Sequence, residues 1–184
     1  TLHGVDKTDK YAWLKDKNWD EIINNPSILE LAIRDYLTAE NTYTDEVMAD
    51  TEQLQSIIYS EIKSRIKEND VTVPEVDGGF CYYQRYIVAG EYPIYCQKEH
   101  KSGIERVLLD GNEEAQGKKF FNIGFCHHSP NHKLVAFGID VNGSENFSIW
   151  VREISTGEEV TSPIKNASAE LIWLPDSNSF FYVR

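Results

Sequence analysis

Asp77-Gly78-Gly79-Phe80-Cys81-Tyr82-Tyr83 lies over Asn131-His132-Lys133-Leu134-Val135-Ala136-Phe137 at a displacement of 54 residues. Held at that displacement, Tyr95-Cys96-Gln97 falls on Ile149-Trp150-Val151, and Lys101-Ser102-Gly103 on Ser155-Thr156-Gly157. One offset thus aligns a turn, an aromatic-rich strand, a second strand and a second turn, which unrelated meanders do not do. A third copy opens further on: Ser129-Pro130-Asn131 matches Leu174-Pro175-Asp176, and Phe137 matches Tyr182, both at 45 residues. Multi-strand units of roughly 40–50 residues are the signature of β-propeller blades. The β half has no Trp-Asp dipeptide, so it is not the common WD40 type. An unrelated β-sandwich is the alternative.

Turn signals outside the aligned units fit the same reading. Ala89-Gly90, Asp110-Gly111-Asn112 and Asn142-Gly143 punctuate residues 71–184. The stretches between them are rich in Tyr, Phe and β-branched residues, as in an antiparallel meander. Upstream the texture differs. Ser27 to Asn69 holds neither Pro nor Gly. Pro26-Ser27 with Glu30 predicts a helix entrance capped by Ser27. Leu29, Ala32, Ile33 and Tyr36, and later Leu54, Ile57, Ile58, Ile62 and Ile66, recur at helical spacing. Asn41-Thr42-Tyr43-Thr44 is weaker, and Asp50-Thr51 offers a fresh cap, so two or three helices are expected. A free coiled coil competes poorly, because the heptad is not sustained.

The fold class is therefore α+β: N-terminal helices followed by the first blades of an antiparallel β-propeller. The expected boundaries are residues 1–70 for the helices and 71–184 for a partial propeller. Blade 1 is expected over about 75–115, blade 2 over about 120–168 and the start of blade 3 over about 169–184. Closed propellers need about four to eight blades, so the chain is expected to be a fragment of a longer protein.

The chain has 184 residues, 41% hydrophobic and 26% charged, which is globular composition. Its 30 acidic against 18 basic residues give a net charge of −12. Phosphate backbones repel such a surface, so no nucleic-acid partner is expected. No apolar run spans a membrane, and Thr1 to Lys10 shows no signal-peptide core. Three cysteines, Cys81, Cys96 and Cys126, are too few for a disulfide framework and read as reduced thiols in a cytoplasmic protein.

Chemistry-bearing motifs are sparse. No Gly-x-Ser-x-Gly elbow occurs. Cys126-His127-His128 with His132 resembles a metal cluster at a glance. However, zinc sites want recognisable spacing, and alternation on a strand points His127 and His128 apart, so a polar inter-blade loop is expected. Gly78-Gly79 reads as a hairpin turn and not as a phosphate loop. Glu113-Glu114 and Glu158-Glu159 read as solvated surface, the isoleucine stripe as core or interdomain packing, and Trp13, Trp19, Trp150 and Trp173 as packing anchors. No catalytic, cofactor-binding or metal-binding residue is assigned, and no cofactor is expected.

A family resemblance rests on an ordered series of residues. His3-Gly4 and Asp9-Lys10-Tyr11-Ala12-Trp13-Leu14-Lys15-Asp16 resemble the HG…D-x-Y-x-W-L-R-D signature of the prolyl oligopeptidase family of serine peptidases, with Lys15 in place of Arg. Glu40-Asn41-x-Tyr43, Glu61-Ile62-x-Ser64-Arg65-Ile66, Val73-Pro74, Tyr82-Tyr83-x-Arg85, Glu91-Tyr92-Pro93-Ile94-Tyr95, Leu108-Leu109-Asp110-Gly111-Asn112, Ser129-Pro130-Asn131 and Phe181-Tyr182-Val183-Arg184 continue it along the oligopeptidase B branch. The resemblance covers essentially the whole chain.

It implies a full protein with a seven-bladed propeller and an α/β-hydrolase domain carrying Ser, His and Asp beyond residue 184. It also implies hydrolysis of short peptides after Arg or Lys, with the propeller restricting access and the 184 residues alone inactive. The implied partners are short basic oligopeptides and the chain's own C-terminal hydrolase domain. The helices and the last blade edge lack partners here, so either self-association or an origin by proteolysis of a larger protein is expected. In proline-specific members an aromatic near the start of the third blade lines the substrate site, whereas this sequence has Ala167-Ser168-Ala169 there. A proline-specific enzyme and a non-catalytic propeller scaffold remain the alternatives.

Overall fold

A computed structural model describes residues 3–5 and 8–184. Thr1, Leu2, Asp6 and Lys7, part of the polar start read above, lie outside the described residues. The chain separates into two compact units, one ending at Ile66 and one beginning at Lys67.

The first unit is helical. It holds α1 (Trp19–Asn24), α2 (Leu31–Met48) and α3 (Glu52–Arg65). The Ser27 capping box does not form. Asn25 caps a 3-10 turn over Pro26–Ile28 instead, accepting from the Ser27 N–H at 3.3 Å and from its hydroxyl at 2.5 Å. Ser27 is thereby used as a donor, and α2 starts four residues later, after an extended Leu29 and Glu30. Thr42 and Thr44 stay inside α2 because their hydroxyls bond back to the Thr38 and Glu40 carbonyls. Asp50-Thr51 marks the break between α2 and α3 as a 3-10 turn, but Thr51 gives no side-chain cap; its hydroxyl donates to the Met48 carbonyl at 2.7 Å.

The core reading of the stripe is not met within this unit: Ile57, Ile58, Ile62 and Ile66 are all exposed, and among its described residues Ile33 is the buried apolar one. Trp13 meets Tyr36 edge-on at 5.2 Å but stays half-exposed, and Trp19 is exposed, so Trp19 is not a packing anchor.

The second unit is built of antiparallel sheets. Strands β1 (Glu75–Asp77), β2 (Phe80–Arg85), β3 (Ile94–Glu99) and β4 (Glu105–Asp110) pair in chain order. After a one-turn helix, α4 (Gly111–Glu114), strands β5 (Asn122–His128), β6 (Leu134–Asp140), β7 (Phe147–Glu153) and β8 (Ile164–Ala167) repeat that order. Strands β9 (Leu171–Trp173) and β10 (Phe180–Tyr182) form a closing hairpin.

The 54-residue displacement is a register identity. All six pairs of β2 with β3, from Phe80↔Glu99 to Arg85↔Ile94, map onto the six pairs of β6 with β7, from Leu134↔Glu153 to Ile139↔Ser148. The turns map too: Gly103 N–H to Glu99 carbonyl, and Gly157 N–H to Glu153 carbonyl, with both glycines left-handed. The 45-residue displacement equally carries the β5–β6 pairs Cys126↔Phe137, His127↔Ala136 and His128↔Val135 onto the β9–β10 pairs. The displacement fails at the fourth strand, since β4 spans Glu105–Asp110 but β8 only Ile164–Ala167.

Period-two alternation splits β6 between two cores. Val135, Phe137 and Ile139 join Leu108, Leu109 and Phe121 between the two large sheets. Ala136 joins Phe125, Ile149, Val151, Ala167 and Leu171 on the side of the β9–β10 hairpin. Both faces of the second sheet are thus covered, as stacked blades require.

Candidate functional site

The polar groups of the second unit converge where the first two sheets meet. The β1–β2 turn places Asp77 at its start and left-handed Gly78 (φ 56°) after it. Strand β5 ends at His128, and a tight turn closed by the His132 N–H on the Ser129 carbonyl sets His132 left-handed (φ 59°). His128 Nε2 sits 2.9 Å from Asp77 Oδ2. The His128 ring stacks on Tyr82 with centroids 3.6 Å apart and planes 4° from parallel. Tyr82 Oη lies 2.8 Å from His132 Nδ1 and 2.7 Å from the Gln97 amide. Gln97 is fully buried, and its Oε1 has no hydrogen-bond partner among the described residues.

The electrostatics follow from this packing. The His128 hydrogen bond, and the charges of His132 and His128, hold the Asp77 carboxyl below its ordinary value. Burial pushes the Tyr82 phenol up to about 12, so it stays protonated and able to relay a hydrogen bond.

Alternation separates His127 from His128, as the strand argument requires. His127 Nδ1 turns to the Leu171 carbonyl at 3.2 Å, and Trp173 Nε1 donates to the His127 carbonyl at 3.1 Å. The expected loop is a correction, however. Cys126, His127 and His128 lie in strand β5, because all three pair with β6. Cys126 packs into the inter-sheet core, and burial drives its thiol pKa far upward. A cleft of 680 Å³ beside the cluster is lined by Tyr82, Tyr95, Phe125, His127 and Trp173 among others.

Two further groupings escaped the sequence. Glu114 is not merely solvated: it holds Arg152 at 2.9 Å, Glu159 lies 4.0 Å from the same guanidinium, and Arg152 covers the Phe137 ring at 4.8 Å. One member of each acidic pair thus serves the same largely buried cation. On the first sheet, Cys81 Sγ lies 3.6 Å from His100 Nε2. What brings Asp77 to His128, 51 residues away, is the stacking of two sheets, and no local spacing signals it. A Ser-His-Asp arrangement is not formed among the described residues.

Comparison with known proteins places the chain. Residues 1–184 match the family described as prolyl oligopeptidase, N-terminal β-propeller domain. The chain is 32% identical to dipeptidyl aminopeptidase BI of Pseudoxanthomonas mexicana, over 98% of this chain and 26% of that protein. It is 28% identical to protease 2 of Moraxella lacunata, with the same two coverages. Among solved structures, oligopeptidase B from Leishmania major superposes with a TM-score of 0.82 at 31% identity, covering 96% of this chain and 24% of that one. Oligopeptidase B from Trypanosoma brucei superposes at 0.78 with 26% identity, covering 99% and 26%. The chain therefore spans about a quarter of the length of these relatives. Helices followed by repeated antiparallel sheets, and a match along every residue, make this chain a member of the prolyl oligopeptidase N-terminal β-propeller family.

Proposed function

We propose that this chain supplies the N-terminal helices and first blades of a serine oligopeptidase that cleaves short peptides after Arg or Lys. The observation that carries the reading is the likeness to oligopeptidase B from Leishmania major, at 31% identity and a TM-score of 0.82 across 96% of the chain. Hydrolysis belongs to a catalytic domain of the same protein, where Ser attacks, His moves the proton and backbone donors hold the oxyanion. The 184 residues alone are inactive. The propeller acts sterically, admitting short peptides and excluding folded ones. The exposed Leu54, Ile57 and Ile62 of α3 support a docking role for the helices against that domain, and the same face drives self-association when it is uncovered. The acidic surface favours cationic peptides.

The test is the protein containing this chain together with its hydrolase domain, assayed on blocked Arg-x, Lys-x and Pro-x substrates. Arg-x and Lys-x should exceed Pro-x in kcat/KM by at least about a hundredfold. A preference for Pro-x would overturn the specificity, and absence of all hydrolysis the enzymatic reading. One specific observation favours a second reading: a relative at 32% identity is a dipeptidyl aminopeptidase. An enzyme of that kind requires a free substrate amino terminus, so cleavage of unblocked peptides only, releasing dipeptides, would establish it.

A further inference from the structure

We propose that Asp77, His128 and His132 form a binding site for a divalent transition cation of the zinc class, clamping the first sheet to the second. One ring nitrogen from each histidine and a carboxylate oxygen of Asp77 lie within 4.8 Å of one another. The 2.9 Å between His128 Nε2 and Asp77 Oδ2 need widen only to about 3.4 Å, the separation of two ligands about 2.1 Å from one tetrahedral ion, for the ion to take the place of the shared proton.

The third ligand is set by elimination within its own ring. His132 Nδ1 is engaged by Tyr82, which leaves Nε2. That atom faces the turn carrying Asp77: a Cβ added at Gly78 would stand only 2.9 Å from His132 Nε2. Glycine at 78 therefore leaves the space that the imidazole fills.

A supporting shell stands behind the ligands. Imidazoles that bind metal donate their other N–H to a fixed acceptor, which selects the tautomer. Here His132 Nδ1–H donates to Tyr82 Oη, the same oxygen that accepts from the amide Nε2 of buried Gln97. The 2.8 Å between Tyr82 Oη and His132 Nδ1 serves this direction as well as its reverse. In this direction the lone pair of His132 Nε2 is free for the ion. Stacking on Tyr82 fixes the plane of His128 as well.

Two imidazoles and one carboxylate suit zinc or cobalt, whereas calcium and magnesium want oxygen donors throughout. Water completes the shell, since Asp77 is half-exposed. The ligand set does not come with the turn. The same left-handed position is Gly78 in the first copy, His132 in the second and Ser177 in the third.

The experiment is equilibrium dialysis of the chelator-stripped protein against Zn²⁺, with Co²⁺ absorption as the spectroscopic reporter. Wild type should retain about one tightly held equivalent, and the Co²⁺ form should show the visible bands of a low-coordinate N/O site. Asp77→Asn and His132→Asn, which suit a half-exposed carboxylate and a left-handed turn respectively, should each weaken Zn²⁺ at least about tenfold. Tyr82→Phe, removing only the relay, should weaken it with the visible bands shifted. Cys81→Ser should leave binding unchanged, setting aside the Cys81–His100 pair. No retained equivalent, binding indifferent to Asp77→Asn and His132→Asn, or binding lost in Cys81→Ser would each overturn the site.

Discussion

Tyr83 and Phe137 occupy the same place in their respective sheets, one opposite Cys96 and the other opposite Trp150. Phe137 is buried between two sheets and covered by Arg152. Tyr83 is partly exposed and hydrogen-bonds to Glu105, which also holds Arg85 at 3.2 Å. Arg85 in turn matches Ile139, one of the buried core residues. The two sheets therefore share a backbone and differ in what they face. The second is covered on both sides, whereas the first turns Cys81, Tyr83, Arg85, Lys98 and Glu105 to a 500 Å³ hollow. Register is a property of the repeat, and side-chain character is a property of the neighbour.

Substitutions at equivalent positions can break this comparison. Phe137→Ala should cost about 3–5 kcal/mol, since its contacts cannot be replaced, while Tyr83→Ala should cost less than half as much. Denaturant unfolding of both variants measures the difference, and equal costs would mean that the sheets are equally packed. Gly138→Ala comes next. Its Cβ would stand 2.6 Å from the Phe125 ring, for an expected cost of about 1–3 kcal/mol, and Gln84→Ala at the matching place in the first sheet should be nearly neutral. Glu114→Gln should cost about 1 kcal/mol by weakening a half-buried pair with Arg152.

Thiol chemistry sharpens the same contrast. Burial pushes the Cys96 thiol up to about 11, leaving on the order of one thiolate in ten thousand at neutral pH. Alkylation followed by peptide mapping should label partly exposed Cys81 first and spare Cys96 until unfolding. The smallest effect is pH-dependent. The Asp77 carboxyl is depressed below its ordinary 3.8, so it stabilises the junction above that value, and the contribution fades as pH falls through the lower folded value. Unfolding midpoints followed from pH 6 down to pH 3 should fall less steeply in Asp77→Asn than in wild type.

Much of the fold was legible because it is repetitive. A strand's period of two and a left-handed turn at Gly103 or Gly157 are local properties, and the same local solution recurs 54 residues on. Helix entry was less legible, because Asn25 and Ser27 compete for one cap and only their geometry decides between them. The candidate site was half legible. Alternation separated His127 from His128, but nothing within reach of either along the chain announced Asp77.

By itself, then, the sequence determined the helices-then-blades order, the offset of the repeat and the family, since each is written in local patterns or in ordered motifs. The tertiary structure alone decided which faces are covered, how Arg152 gathers Glu114 and Glu159, and that Asp77 meets His128 and His132. Those contacts depend on the stacking of one sheet on the next, and stacking joins residues whose separation along the chain carries no periodic signal.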